Sequence, residues 1–167
     1  GYLGSAMAHA LAEAGAQVII GSRDLSRAEQ AANALPGKKH GGVQLDHMDS
    51  EKLQAGFQSA LDISGQIDIL INNGQDPVTR DWTDITHEQF SRQLGNASGY
   101  FELARCVRNQ ATQNNHSASI VMIGSMYGQV ASYPDAYEDI CTASPAAYHA
   151  LKGGIIHLTR HLSAYWA

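Results

Sequence analysis

Sulfur is scarce in this sequence, which has two cysteines, Cys106 and Cys141. A disulfide framework or a four-ligand zinc site needs more thiols or a tight Cys/His spacing, so both are expected as free thiols. Excess positive charge is lacking too. The formal net charge is -5, the pI is about 5.8, and no basic run exceeds Lys38-Lys39, which argues against a nucleic-acid partner. Long apolar runs are also missing. Val18 to Ile20 and Ile67 to Ile71 are too short to cross a bilayer and no charged-then-apolar leader opens the chain, so a soluble, cytoplasmic protein with no membrane partner is expected. Without a leader, the sequons Asn96-Ala97-Ser98 and Asn115-His116-Ser117 would not meet the glycosylation machinery.

Histidine, by contrast, is plentiful at eight residues, and His157 and His161 stand four apart as two metal ligands would. No third ligand accompanies them, so they read as helix-face residues and no metal is expected. A length of 167 residues with 44% hydrophobic residues supports one domain with a sizeable core.

Along the chain, helical and β-branched segments alternate. Leu3 to Ala14 reads as a helix closed by Gly15, Gln17 to Ile20 as a strand, and Ser26 to Leu35 as a helix stopped by Pro36-Gly37. Val43 to Leu45 is a brief strand, Ser50 to Leu61 a helix with Ser50 as its candidate cap, and Ile67 to Ile71 a buried strand ending at Asn72-Asn73-Gly74. A loop runs through Pro77. From Thr86 to about Asn109 the pattern is a long helix, opened by a capping box of Thr86 and Gln89. Ser119 to Ile123 is another buried strand, Gly124 to Ala143 a loop able to cover a pocket, and Pro145 suits the first turn of a last helix. Such alternation predicts an α/β, Rossmann-type, doubly wound parallel sheet with helices on both faces.

Two features carry chemistry. Gly1-Tyr2-Leu3-Gly4 stands ahead of a helix, where glycines let backbone approach a pyrophosphate and the helix N-terminus favours its charge. On the last helix, four-residue spacing puts Tyr148 and Lys152 on one face, where an ammonium stabilises a phenolate and makes tyrosine usable as general acid and base. Ser125 ends the strand upstream.

With these residues in place the chain resembles the short-chain dehydrogenase/reductase family from residue 1 to residue 167. Asp46, in Leu45-Asp46-His47-Met48-Asp49, matches the family aspartate implied to face the adenine amino group, and His47 beside it is counted with the cofactor residues. Ile71-Asn72-Asn73-Gly74 looks like the family's Asn-Asn-Ala-Gly segment, and Asn96 falls at its helix asparagine. Ser125, Tyr148 and Lys152 fall at the catalytic positions. The resemblance implies hydride transfer between a nicotinamide cofactor and a small-molecule carbonyl or secondary alcohol. Tyr148 would exchange the proton, Ser125 hold the substrate oxygen, Lys152 tune Tyr148 and contact the nicotinamide ribose, and Asn96 hold a relay water. It also implies a homo-oligomer built through the long helix and the catalytic helix.

The chain departs from the family pattern in places. Ser125 and Tyr148 are 23 positions apart, wider than usual, and the extra residues lie in Tyr133 to Ala143. That insertion is expected to shape the substrate pocket, and its acidic and aromatic side chains suit a polyol or sugar-like substrate. It resembles the family's extended branch, as do the Gly-x-x-Gly spacing and Ser125-Met126-Tyr127-Gly128, whereas Asn72-Asn73-Gly74 and Asn96 point to a divergent classical-type enzyme. The family's first strand and everything after its catalytic helix are missing, so a partial NAD(P)-binding domain of a longer protein is expected. Rival readings are a sugar-nucleotide epimerase or dehydratase that returns its hydride, and a non-catalytic dinucleotide-binding protein.

Cofactor preference is read from Ile20-Gly21-Ser22-Arg23-Asp24. Enzymes of this fold that prefer NAD place a carboxylate on the ribose hydroxyls there. Here Ser22 takes that place and Arg23 follows, leaving room and a bidentate partner for a 2′-phosphate. NADP(H) is therefore expected over NAD(H), with Asp24 as the counterargument.

Overall fold

A computed structural model describes residues 1–78, 83–141 and 144–167. Helix α1 spans Tyr2–Glu13 and is followed by Gly15 at φ +91°, the left-handed turn expected there. Strand β1 is Ile19–Ser22, two residues later than the apolar run suggested. Gln17 and Val18 are drawn instead to the turn before the next strand: Gln17 Nε2 donates to the Lys39 carbonyl (2.7 Å) and Val18 N to His40 Nδ1 (3.0 Å). Helix α2, Leu25–Asn33, starts at Asp24, whose carboxylate accepts from Arg27 N at 3.1 Å. Strand β2 is Gly41–Gln44.

Helix α3 spans Ser50–Ser64, but its cap is Asp49 rather than Ser50. The Asp49 carboxylate accepts from Lys52 N, whereas the Ser50 hydroxyl donates to Glu102 on a neighbouring helix. Strand β3, Ile69–Asn72, leads to helix α4, His87–Gln113, whose Thr86/Gln89 capping box forms as the sequence predicts. Strand β4 is Ser119–Met122, and short 3-10 turns at Met126–Gly128 and Pro134–Ala136 interrupt the loop that follows. Helix α5 spans Ala146–Tyr165, with Pro145 just outside it as the cap. Thr142 and Ala143, the end of the inserted segment, lie outside the described residues.

The strands pair in parallel, β1 with β2 and β3 with β4. Neighbouring residues of a strand point to opposite faces. On β2, a Cβ at Gly42 would meet the α2 backbone at Glu29 N (2.4 Å), and one at Gly41 would meet Ile63 of α3. Helices therefore cover both faces, which is the doubly wound arrangement.

The two strand pairs do not join. Between β1 and β3 lies a cleft of about 750 Å³, flanked by Val18 to Gly21 on one side and Ile67 to Ile71 on the other and floored by Leu103 and Val107 of α4. This is the position that the doubly wound order gives to a central strand, and no described strand fills it. Ile69 is accordingly 46% exposed although it belongs to a strand.

Elsewhere packing is close. Tyr100 of α4 meets Leu151 and Ile155 of α5 over Met122 of β4. Gly99 of α4 touches the turn after β2, where an added Cβ would lie 2.1 Å from the His47 carbonyl oxygen. A methyl group there must push helix and turn apart. Gly99→Ala is therefore expected to destabilise the full-length protein by about 1–3 kcal/mol despite alanine's better helix propensity, as measured by urea unfolding. Equal or greater stability would show that this contact does not hold α4 to the turn.

Candidate active site

Helix α5 fixes the chemical end of the site. Leu151 and Ile155 anchor its inner face, and Lys152, between them in sequence, is 3% exposed. A buried ammonium needs compensation. Its Nζ donates to the Ile123 carbonyl just past β4 (2.7 Å) and lies 5.6 Å from the centre of the Tyr148 ring and 5.8 Å from that of Tyr100. Burial pushes the Lys152 pKa down from the usual lysine value.

Ser125 caps the 3-10 turn after β4, its Oγ accepting from Tyr127 N at 3.2 Å. Gly128 seats that turn on α5, where a Cβ would lie 2.7 Å from the Lys152 carbonyl. Tyr127 meets Tyr148 edge to face at 6.5 Å and lies tilted against His149 at 4.8 Å, while the Ser132 hydroxyl bonds His149 Nε2 at 3.0 Å. These contacts bring the serine turn and the start of the inserted loop onto the helix that carries Tyr148 and Lys152. Met126, Tyr133 and Ile140 stand out from this loop as exposed apolar side chains.

Asn96 lies one helical turn before Tyr100 and is buried. Its Oδ1 accepts from Asp76 N (2.7 Å) and His47 Nε2 (2.8 Å), and its Nδ2 donates to the carbonyls of Asp76 (3.1 Å) and Gln93 (2.9 Å). An amide side chain has two donor and two acceptor positions, so these bonds saturate it, and a water bound to that side chain would have to replace one of them. The residue ties together the loop after β3, the turn after β2 and its own helix.

Seven of the predicted cofactor residues gather at the carboxyl ends of β1 and β3, around the mouth of the cleft, whereas Asp46, Tyr148 and Lys152 do not line it. Gly1, Gly4, Ser22, Arg23, His47, Asn73 and Gly74 all line it. A Cβ on Gly4 would come within 2.9 Å of Asn73 Nδ2, so the glycine lets α1 approach the end of β3. Tyr2 and Leu3 are 94% and 60% exposed and do not line the cleft. Asp46 accepts from Met48 N at 3.0 Å, and the Ser22 hydroxyl accepts from Asp24 N at 3.3 Å.

Two residues stand out that the sequence alone did not single out. Asp76 is buried and paired with both Arg23 (3.1 Å) and Arg92 (2.6 Å); Arg92 above all, with Arg23 further off, holds its carboxyl below the usual carboxylate range. The Tyr100 hydroxyl is buried with no hydrogen-bond partner among the described residues, and burial first, then Tyr148, pushes its pKa up to about 12. Neither carries a motif. The signal for Asp76 was a carboxylate close after Asn73-Gly74, which acquires meaning only once the loop folds inward.

Comparison with known proteins agrees with this geometry. The chain is 27% identical to D-arabinitol 2-dehydrogenase [ribulose-forming] of Scheffersomyces stipitis, over all of its own length and 63% of the relative's. It is 31% identical to galactitol 2-dehydrogenase of Rhizobium johnstonii, over 99% of its length and 62% of the relative's. A putative gluconate dehydrogenase of Agrobacterium tumefaciens superposes with a TM-score of 0.83 at 28% identity, covering 98% of this chain and 62% of that one. The chain thus spans less than two thirds of the length of these relatives. The family model for short chain dehydrogenase matches residues 2–167, across both the cleft mouth and the Tyr148-Lys152 helix, and the chain belongs to that family.

Proposed function

We propose that the protein carrying this chain is a nicotinamide-dependent oxidoreductase that interconverts a secondary alcohol and a ketone on a polyol or sugar-like substrate. The observation that carries the reading is Lys152, a buried ammonium fixed to the Ile123 carbonyl beside the Tyr148 ring and under the Ser125 turn. The sugar-alcohol names of the two relatives support the substrate class. They support an oxidoreductase over an epimerase or dehydratase in the same way.

The residues present suit a dinucleotide. The N-terminus of α1 opens on Gly1 and Gly4, able to receive a pyrophosphate, and Ser22, Arg23, Asn73 and Gly74 line the same cleft, where they would hold the adenosine half. When bound, the nicotinamide supplies the carbon that accepts or gives hydride. The chain supplies the rest. In alcohol oxidation Tyr148 Oη takes the hydroxyl proton as the carbon–hydrogen bond breaks, and in ketone reduction it returns that proton to the carbonyl oxygen. Ser125 Oγ donates to the same oxygen, and Lys152 favours the phenolate by its charge and holds the ribose. Asn96 acts through position, fixing the loop after β3 that borders the cofactor's path. We infer that Arg23 pairs with a 2′-phosphate, favouring NADP(H).

Tyr148→Phe in the full-length protein removes the transferable proton and little else. Turnover of a polyol should fall by about 10²–10⁴-fold while cofactor binding, followed by calorimetric titration, is nearly unchanged. Retention of more than about a tenth of the rate would refute the role.

Arg23→Ala should weaken NADP(H) binding far more than NAD(H) binding, since a guanidinium–phosphate pair is lost only with the former. Equal losses, or a wild-type preference for NAD(H), would refute the assignment.

A further inference from the structure

We propose that Asp76 is a determinant of cofactor selectivity, competing with the 2′-phosphate for Arg23; this rests on the NADP(H) reading above. Arg23 extends from the end of β1, at the cleft, and Asp76 from the loop after β3, so their contact links the two strand pairs through residues 53 positions apart. The two partners are unequally held. Arg23 has a side chain 59% exposed, while that of Asp76 is 9% exposed. The backbone of Asp76 is clamped on both sides by Asn96, which bonds its N–H and its carbonyl. Its second carboxylate oxygen accepts from Arg92 Nε at 2.6 Å. The carboxylate is the fixed element and the guanidinium the movable one.

A carboxylate and a phosphate monoester make the same demand on a guanidinium, namely two acceptor oxygens in its plane. Asp76 engages Nη1 of Arg23 where a 2′-phosphate would need it, and its negative charge opposes a phosphate dianion at the same mouth. An unphosphorylated ribose carries no charge and feels neither effect. Arg92 moderates the penalty by sharing the carboxylate. Selectivity then becomes a difference between two terms, attraction by Arg23 and opposition by Asp76, and the second has been set by a residue of the opposite half of the sheet.

The test is calorimetric titration of NADP⁺ and NAD⁺ into the full-length protein, as wild type, Asp76→Asn, Arg92→Gln, Arg23→Ala and Asp76→Asn/Arg23→Ala. Asp76→Asn keeps shape and backbone bonds and removes charge; it should tighten NADP⁺ about fivefold and leave NAD⁺ unchanged. Arg92→Gln, which leaves the whole carboxylate to Arg23, should weaken NADP⁺, and an unchanged or tighter NADP⁺ overturns the assignment should Asp76→Asn fail to fold. On the Arg23→Ala background the Asp76→Asn effect should shrink to the part owed to direct repulsion between the carboxylate and the phosphate. If Arg23→Ala selectively weakens NADP⁺ but Asp76→Asn leaves the ratio unchanged or lowers it, the Asp76 assignment is overturned and the cofactor reading stands. If Arg23→Ala affects both cofactors equally, both are overturned.

Discussion

An ammonium group withdrawn from water must be given partners, and the way Lys152 is satisfied organises the catalytic half of the chain. Its bond to the Ile123 carbonyl joins α5 to the end of β4, so the helix cannot slide along the sheet without stranding a charge. The pairing also fixes Tyr148, one turn earlier on the same helix, and Tyr100, whose ring lies on the other helix beside the same nitrogen. Lysine has three donors, and the Ile123 bond uses one. Gly128 completes the arrangement by letting the Ser125 turn reach the α5 backbone at Lys152 itself. A side chain at that glycine would push the Ser125 turn away from the helix that carries Tyr148.

The cofactor half depends on a different constraint, charge and amide networks that close over the end of an interrupted sheet. Asn96 holds Asp76 by backbone on both sides and holds His47 by its ring, so three segments meet at one buried side chain. Asp76 in turn gathers two arginines. The apolar depth of the cleft and its polar mouth are thus distinct in kind. The depth is lined by the flanks of β1 and β3, and the mouth by Ser22, Arg23, His47 and Asn73.

How much of this was legible in the sequence differs by type of interaction. The long helix and its capping box were readable because Thr86 and Gln89 bond only to their own backbone neighbourhood. The Tyr148–Lys152 juxtaposition was readable because a four-residue spacing is a local fact of helix geometry. The start of β1 was misread because Gln17 and Val18 obey His40 and Lys39, over twenty positions away, rather than their own β propensity. Ser50 yielded the cap to Asp49 because Glu102, on another helix, claims its hydroxyl. The Arg23–Asp76–Arg92 group and, apart from the nearby Gln93 carbonyl, the saturated amide of Asn96 depend on partners between 16 and 53 positions apart, which no window of sequence reveals. Residue type told which groups could do chemistry; only tertiary packing told which were free to do it.

If Ser125, Tyr148 and Lys152 work as one unit, removing a second member should cost little once the first is gone. The direct measurement is kcat for a polyol with Ser125→Ala, Lys152→Met, and each of these combined with Tyr148→Phe, all in the full-length protein. The account predicts that both double variants turn over at about the rate of Tyr148→Phe alone. Losses that multiply independently would contradict it.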